Sequence, residues 1–241
     1  MLAILDNLAV VVFILLSFLV IRSIQRAGQS KEYSTLFVYV SFSSLCSIVL
    51  AVYGVAPQLL FSNRREFVRF YWASEVLIEL LVLLVCLTLI HFSAEQIRHR
   101  FAITSMVGVF SLLATLISVL VVVPWDSPTY TPFMTRLASN LTLCTALLNL
   151  ILWMLLIRKQ VKDLQLLLVS GGLGILTTGK AIGHSLRSMA SPQGDRSLVE
   201  LGNWIVTLTG LFCLFIWWQA LKRRKERRRM EFAAQGVPES S

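Results

Sequence analysis

Charge is scarce in this chain: Asp, Glu, Lys and Arg make up 15% of 241 residues, while 56% are apolar. An ordinary soluble domain carries about 25% charged residues, so composition leaves little from which to build one. The four cysteines, Cys46, Cys86, Cys144 and Cys213, are dispersed through apolar stretches. They imply neither a disulfide framework nor a ligand cluster, and read as small packing residues. The six prolines (Pro57, Pro124, Pro128, Pro132, Pro192 and Pro238) all fall between the long apolar runs or in the tail. Unkinked helices are therefore expected, which weighs against the discontinuous helices on which many transporters rely.

Chemistry-bearing motifs are equally sparse. With three histidines in all, His184 lies toward one membrane face while His91 and His99 lie toward the other. That excludes a bis-histidine haem site and a three-histidine zinc site. Gly171-Gly172-Leu173-Gly174 contains no nucleophilic serine, and Gly179-Lys180 lacks the upstream glycine of a phosphate-binding loop. The core of the last span, Ile205 to Trp218, has no lysine, where a seven-helix retinal pigment would carry its Schiff base. No cofactor and no metal are expected, and an enzymatic role is disfavoured.

What the chain does have is seven apolar stretches, each long enough to cross roughly 30 Å of hydrocarbon with about 20 helical residues. They cover residues 3–22, 34–55, 69–92, 101–123, 134–157, 165–187 and 199–221. Met1 to Asn7 has no basic residue and no small-residue cleavage pattern, so the first stretch reads as a true span and not a removable leader. The expected fold is all-α: a polytopic seven-helix bundle over residues 1–221, followed by a basic, then disordered, tail over 222–241.

Basic residues orient it. One side receives Arg22, Arg26, Lys31, Arg98, Arg100, Arg158, Lys159, Lys162 and the run Lys222 to Arg229, fifteen in all, against six on the other. The N-terminus is thus expected outside and the C-terminus in the cytoplasm. The net charge of +9 follows from that asymmetry and does not point to nucleic acid. The run Lys222 to Arg229 reads first as a topology anchor and secondarily as a grip on anionic lipid. With no outer cysteine pair, and with the glycosylation pattern Asn140-Leu141-Thr142 inside a span, a bacterial inner (plasma) membrane is the expected location.

Two spans carry charge where charge is costly, by about 2.5–3.5 kcal/mol per group at a helix centre. The third holds Glu75 and Glu79, and the sixth holds Lys180 and His184, with Arg187 beyond. Glu75 and Glu79 are four apart, and Lys180, His184 and Arg187 are four and three apart, so each set shares one helix face. Counting about 1.5 Å per residue places Glu79 near the membrane centre, and Lys180 level with Glu75, about 6–8 Å nearer the outside.

Spans three, five, six and seven are expected to face one another, with Asn140 and Asn203 joining the acids and bases. The featureless spans one and four are left on the lipid-facing perimeter. Asn149 is the main polar group of the inner half. Gly179 and Gly183 form a small-xxx-small ridge for close helix approach.

Two carboxylates, a lysine, a histidine and an arginine exceed what one helix-pairing staple needs. The sequence therefore favours a receptor-like or sensory protein, with Glu75, Glu79, Asn140, Lys180, His184, Arg187 and Asn203 lining an outer-half pocket for a small charged ligand or a proton. A cytoplasmic protein partner would receive the signal. The alternatives are an accessory subunit whose charges only fix packing, and a proton-linked small-solute transporter.

Overall fold

A computed structural model of the protein describes residues 2–26, 33–56, 61, 63–94, 130–158, 164–190 and 196–234. All regular structure among them is helical: α1 (Leu2–Arg26), α2 (Ser34–Val55), α3 (Arg64–Ala94), α4 (Tyr130–Arg158), α5 (Leu164–Ala190) and α6 (Arg196–Ala234). All six are long and apolar enough to cross a membrane, so the chain is a multi-pass membrane protein. The expected span 101–123 and the proline-rich segment before Tyr130 lie outside the described residues.

Every described helix but α2, whose bounds match its expected span, outruns its apolar core, because polar ends continue in helical form beyond the hydrocarbon. The clearest case is α6, which runs to Ala234 instead of ending near 221. The basic run is rich in Lys, Arg and Glu, all good helix formers, and the first helix-breaking residue after it is Gly236. Pro132 is the third residue of α4, not outside the helix as the sequence suggested. It is tolerated because first-turn N–H groups have no intrahelical acceptor to lose.

The described helices pack in sequence order, α1 on α2, α2 on α3, α3 on α4, α4 on α5 and α5 on α6, and α6 closes the ring against α1. A further approach of α3 to α5 crosses the interior. This corrects one expectation: α6 lies between α5 and α1, and not against α3 or α4. Helix α1, expected on the perimeter, does turn Leu8, Val11, Leu15 and Phe18 outward.

Helix α5 is the pivot, and glycine makes it so. Half of its membrane window is buried, against 17% for those of α1 and α6. Gly171 and Gly174 face Trp153 and Asn149 of α4, while Gly172, Gly179 and Gly183 face α6. A Cβ on Gly172 would sit 2.8 Å from the Trp217 indole nitrogen, and one on Gly179 would collide with Thr209. Gly183 and Gly202 bring the two backbones into contact: a Cβ on either would lie 2.8 Å from the other's carbonyl oxygen. Helix association in lipid depends on such close packing, since lipid tails are as apolar as the side chains.

Trp217 fills the room that Gly172 leaves. It is fully buried, meets Tyr39 of α2 edge-on at 5.8 Å between ring centroids, and its indole N–H donates to the Val169 carbonyl at 2.9 Å. Trp217→Phe should destabilise the fold by about 0.5–1.5 kcal/mol through the lost hydrogen bond, plus a packing loss from the smaller ring. Thermal unfolding in detergent reads this directly; an unchanged midpoint would mean the bond is not formed.

Candidate functional site

Most polar side chains in the bundle are satisfied within their own helix. The hydroxyls of Ser44, Ser74, Thr142, Thr145, Ser170 and Thr177 each donate to a carbonyl three or four residues earlier. That local bond lets a hydroxyl sit in an apolar setting without calling on another helix. These residues are packing groups and leave a short list of polar atoms to explain.

Most of those atoms gather where α3 crosses α5; Ser17 Oγ of α1 lies apart from them. Three rungs face each other in antiparallel register: Tyr71 with Arg187, Glu75 with His184, and Glu79 with Lys180. The α3 members are four apart and the α5 members four and three apart, so each helix presents one face. The Lys180 ammonium donates to Glu79 Oε1 at 2.7 Å. His184 Nε2 stands 3.8 Å from one oxygen of Glu75 and 3.8 Å from the same Glu79 oxygen, beyond hydrogen-bonding distance. Tyr39 of α2 closes the cluster from the side, within electrostatic reach of Lys180, Glu79 and Glu75.

Burial is close to complete. Glu79 and His184 are 0% exposed and Lys180 5%, while the Glu75 side chain keeps 16%. Inside this shell several atoms have no hydrogen-bond partner among the described residues: Glu79 Oε2, both ring nitrogens of His184, and Arg187 Nε. Each such group costs about 1–3 kcal/mol of uncompensated desolvation, and more when charged. Asn149 Oδ1, on α4, is a further buried acceptor without a donor.

The structure revises the sequence-based site in three respects. Lys180 meets Glu79 and not Glu75, although simple counting put it level with Glu75. Helical side chains lean toward their own N-termini, so in antiparallel helices Glu79 leans one way along the membrane normal and Lys180 the other, and they meet between their Cα levels. Asn203 is exposed on α6; its neighbour Gly202 takes the inward position against α5, and one residue further turns the side chain away. Asn140 is likewise exposed on α4, whose inward face carries Leu137, Ala138 and Leu141. Neither asparagine joins the cluster.

Two participants escaped the sequence reading, Tyr39 and Tyr71. Each is a hydroxyl-bearing ring in an otherwise apolar run, and nothing in one sequence separates such a tyrosine from a packing aromatic.

The crossing also gathers a set of possible metal donors. Counting histidines excluded a metal site, yet one nitrogen of His184 and one oxygen each of Glu75 and Glu79 lie within 4.8 Å of one another. The carboxylates supply donors that the missing histidines could not. The four cysteines are all free, with Cys46, Cys86 and Cys213 buried. Comparison of the chain with protein-family models, curated proteins and solved structures returns no match.

Proposed function

We propose that this protein is a receptor-like membrane sensor that takes up a small cationic ligand at the Glu75, Glu79 and His184 cluster and passes the event on through relative movement of α3 and α5. In this reading the chain has seven spans, with the N-terminus outside and the C-terminus in the cytoplasm of a plasma membrane. The observation that carries it is the surplus of buried polar groups. One ion pair, Lys180 with Glu79, would staple the two helices. Glu79 Oε2 and both nitrogens of His184 are buried without a hydrogen bond, and His184 stands 3.8 Å from both acids, which is more polar machinery than one staple needs.

A ligand that satisfies them competes with Lys180 for Glu79 and so loosens the contact between α3 and α5. A shift at that crossing can move the cytoplasmic ends of both helices, as packed helices shift between discrete arrangements. Such a ligand must favour one arrangement over the other for any signal to result.

The 2.7 Å pair itself favours a second reading, a subunit in which the cluster only fixes helix packing. Thermal unfolding of the purified protein against a panel of small organic amines, guanidines and divalent metal ions separates the two. The sensor reading expects at least one compound to raise the wild-type midpoint by several degrees, by preferential binding to the folded state, and expects Glu75→Gln to abolish that rise. If no compound shifts the wild type while Glu75→Gln and Lys180→Met both lower its midpoint, the cluster is structural.

A further inference from the structure

Resting on the ligand-site reading above, we infer that the ligand class is a divalent transition-metal cation, held by Glu75, Glu79 and His184 in exchange for the Lys180 ammonium.

Geometry comes first. The three donor atoms lie within 4.8 Å of one another, and His184 Nε2 is 3.8 Å from both carboxylate oxygens. A tetrahedral ion bound at about 2.0–2.2 Å needs donors roughly 3.3–3.5 Å apart. A contraction of a few tenths of an ångström therefore brings the histidine edges into range, well within rotamer adjustment. Two carboxylates and an imidazole suit zinc, cobalt or manganese better than calcium or magnesium, which take all-oxygen shells.

The unpartnered atoms point the same way. His184 is 0% exposed and has no hydrogen bond at either nitrogen, and Glu79 Oε2 is buried without a donor. An apolar crossing would not keep an unsatisfied imidazole beside two acids unless something completes it. A metal satisfies one nitrogen of His184 and the carboxylates together. An organic cation can neutralise the acids but does not draw Nε2 of His184 and both carboxylates onto one point; in either case the Nδ1 side of His184 still lacks a partner.

Charge then dictates the exchange. Lys180 already neutralises Glu79 at 2.7 Å, and a divalent ion entering beside a retained ammonium would add two like charges to a buried site. The ion can be held only as the ammonium withdraws from Glu79. With both glutamates ionised, the ion and its three ligands are then neutral as a unit. Lys180 is thus the resident competitor, and its withdrawal is the structural change that binding produces between α3 and α5.

The test uses full-length protein in detergent, with Co²⁺ and Zn²⁺ as probes. Co²⁺ titration is read by its visible d–d absorption and Zn²⁺ by equilibrium dialysis and unfolding midpoint. Wild type should bind one equivalent, and Glu75→Gln and His184→Gln should each weaken binding by roughly tenfold or more. Lys180→Met should bind more tightly than wild type, because the competing cation is gone, and added Zn²⁺ should restore much of its lost midpoint. A merely structural Lys180 predicts no gain in affinity.

Absence of Co²⁺ and Zn²⁺ binding by both wild type and Lys180→Met overturns the inference, as does binding that Glu75→Gln and His184→Gln leave unchanged. Should organic cations alone shift the wild type in a manner dependent on Glu75, the metal is wrong and the ligand site stands. If neither metals nor organic cations shift it, both readings fall.

Discussion

Lys180→Met should lower the stability of the metal-free protein by about 3–5 kcal/mol, because it leaves the buried Glu79 carboxylate without the ammonium that meets it at 2.7 Å. The glutamate is 0% exposed and its second oxygen already lacks a donor, so water cannot offset the loss. Glu79→Gln should be costly for the mirror-image reason, stranding an ammonium that is 5% exposed. The double variant Glu79→Gln, Lys180→Met should recover most of what either single change loses. The larger penalty of a buried unpaired charge is then gone, as when whole buried pairs are replaced, and only the smaller cost of burying the amide that Glu79→Gln introduces is left.

Equilibrium unfolding of the four proteins in mixed micelles gives the coupling energy. Both singles within about 1 kcal/mol of wild type would place the pair in a solvated setting, and the exchange of ligand for ammonium would lose its basis.

Gly183→Ala and Gly54→Ala should move stability in opposite directions. At Gly183 the added methyl falls 2.8 Å from the Gly202 carbonyl oxygen and collides with Val206. A backbone oxygen cannot rotate away, so α5 and α6 must part. Overpacking of this kind costs about 1–3 kcal/mol, only partly offset by the roughly 1 kcal/mol that alanine gains over glycine in a helix.

At Gly54, in the last turn of α2, no atom of the described residues lies within 4 Å of the added methyl. There the helix-propensity gain of up to about 1 kcal/mol acts alone, and the midpoint should rise. Equal effects at both sites would mean that α5 and α6 are not in backbone contact. The Gly183 variant also bears on the site, because Gly183 adjoins His184. Separating α5 from α6 would shift the imidazole relative to Glu75 and Glu79.

Periodicity made one part of the site legible and not the other. Residues four apart on a helix share a face whatever the helix packs against. Glu75 with Glu79, and Lys180 with His184 and Arg187, could therefore be grouped from spacing alone. Which acid takes the lysine depends on where each side-chain tip lies, and the lean of side chains in antiparallel helices offsets the tips from their Cα levels. Asn140 and Asn203 show the same limit. Each is polar and at a plausible depth, but its rotation about the helix axis is fixed by neighbours that only the packed structure reveals.

The sequence by itself determined that this is an all-helical chain of long apolar spans, because about 20 apolar residues in lipid must satisfy their backbone internally and only a helix does so locally. It also determined the helix faces and the glycine ridge, for periodicity and small side chains are local properties. Tertiary structure decided the ring order, with α6 closing on α1. It decided the pairing of Lys180 with Glu79, the arrival of Tyr39 and Tyr71, and the gathering of a Glu-Glu-His donor set. Those depend on contacts between residues a hundred or more positions apart. Such contacts are set by which helix surfaces fit together, a property of pairs of helices that no single helix encodes.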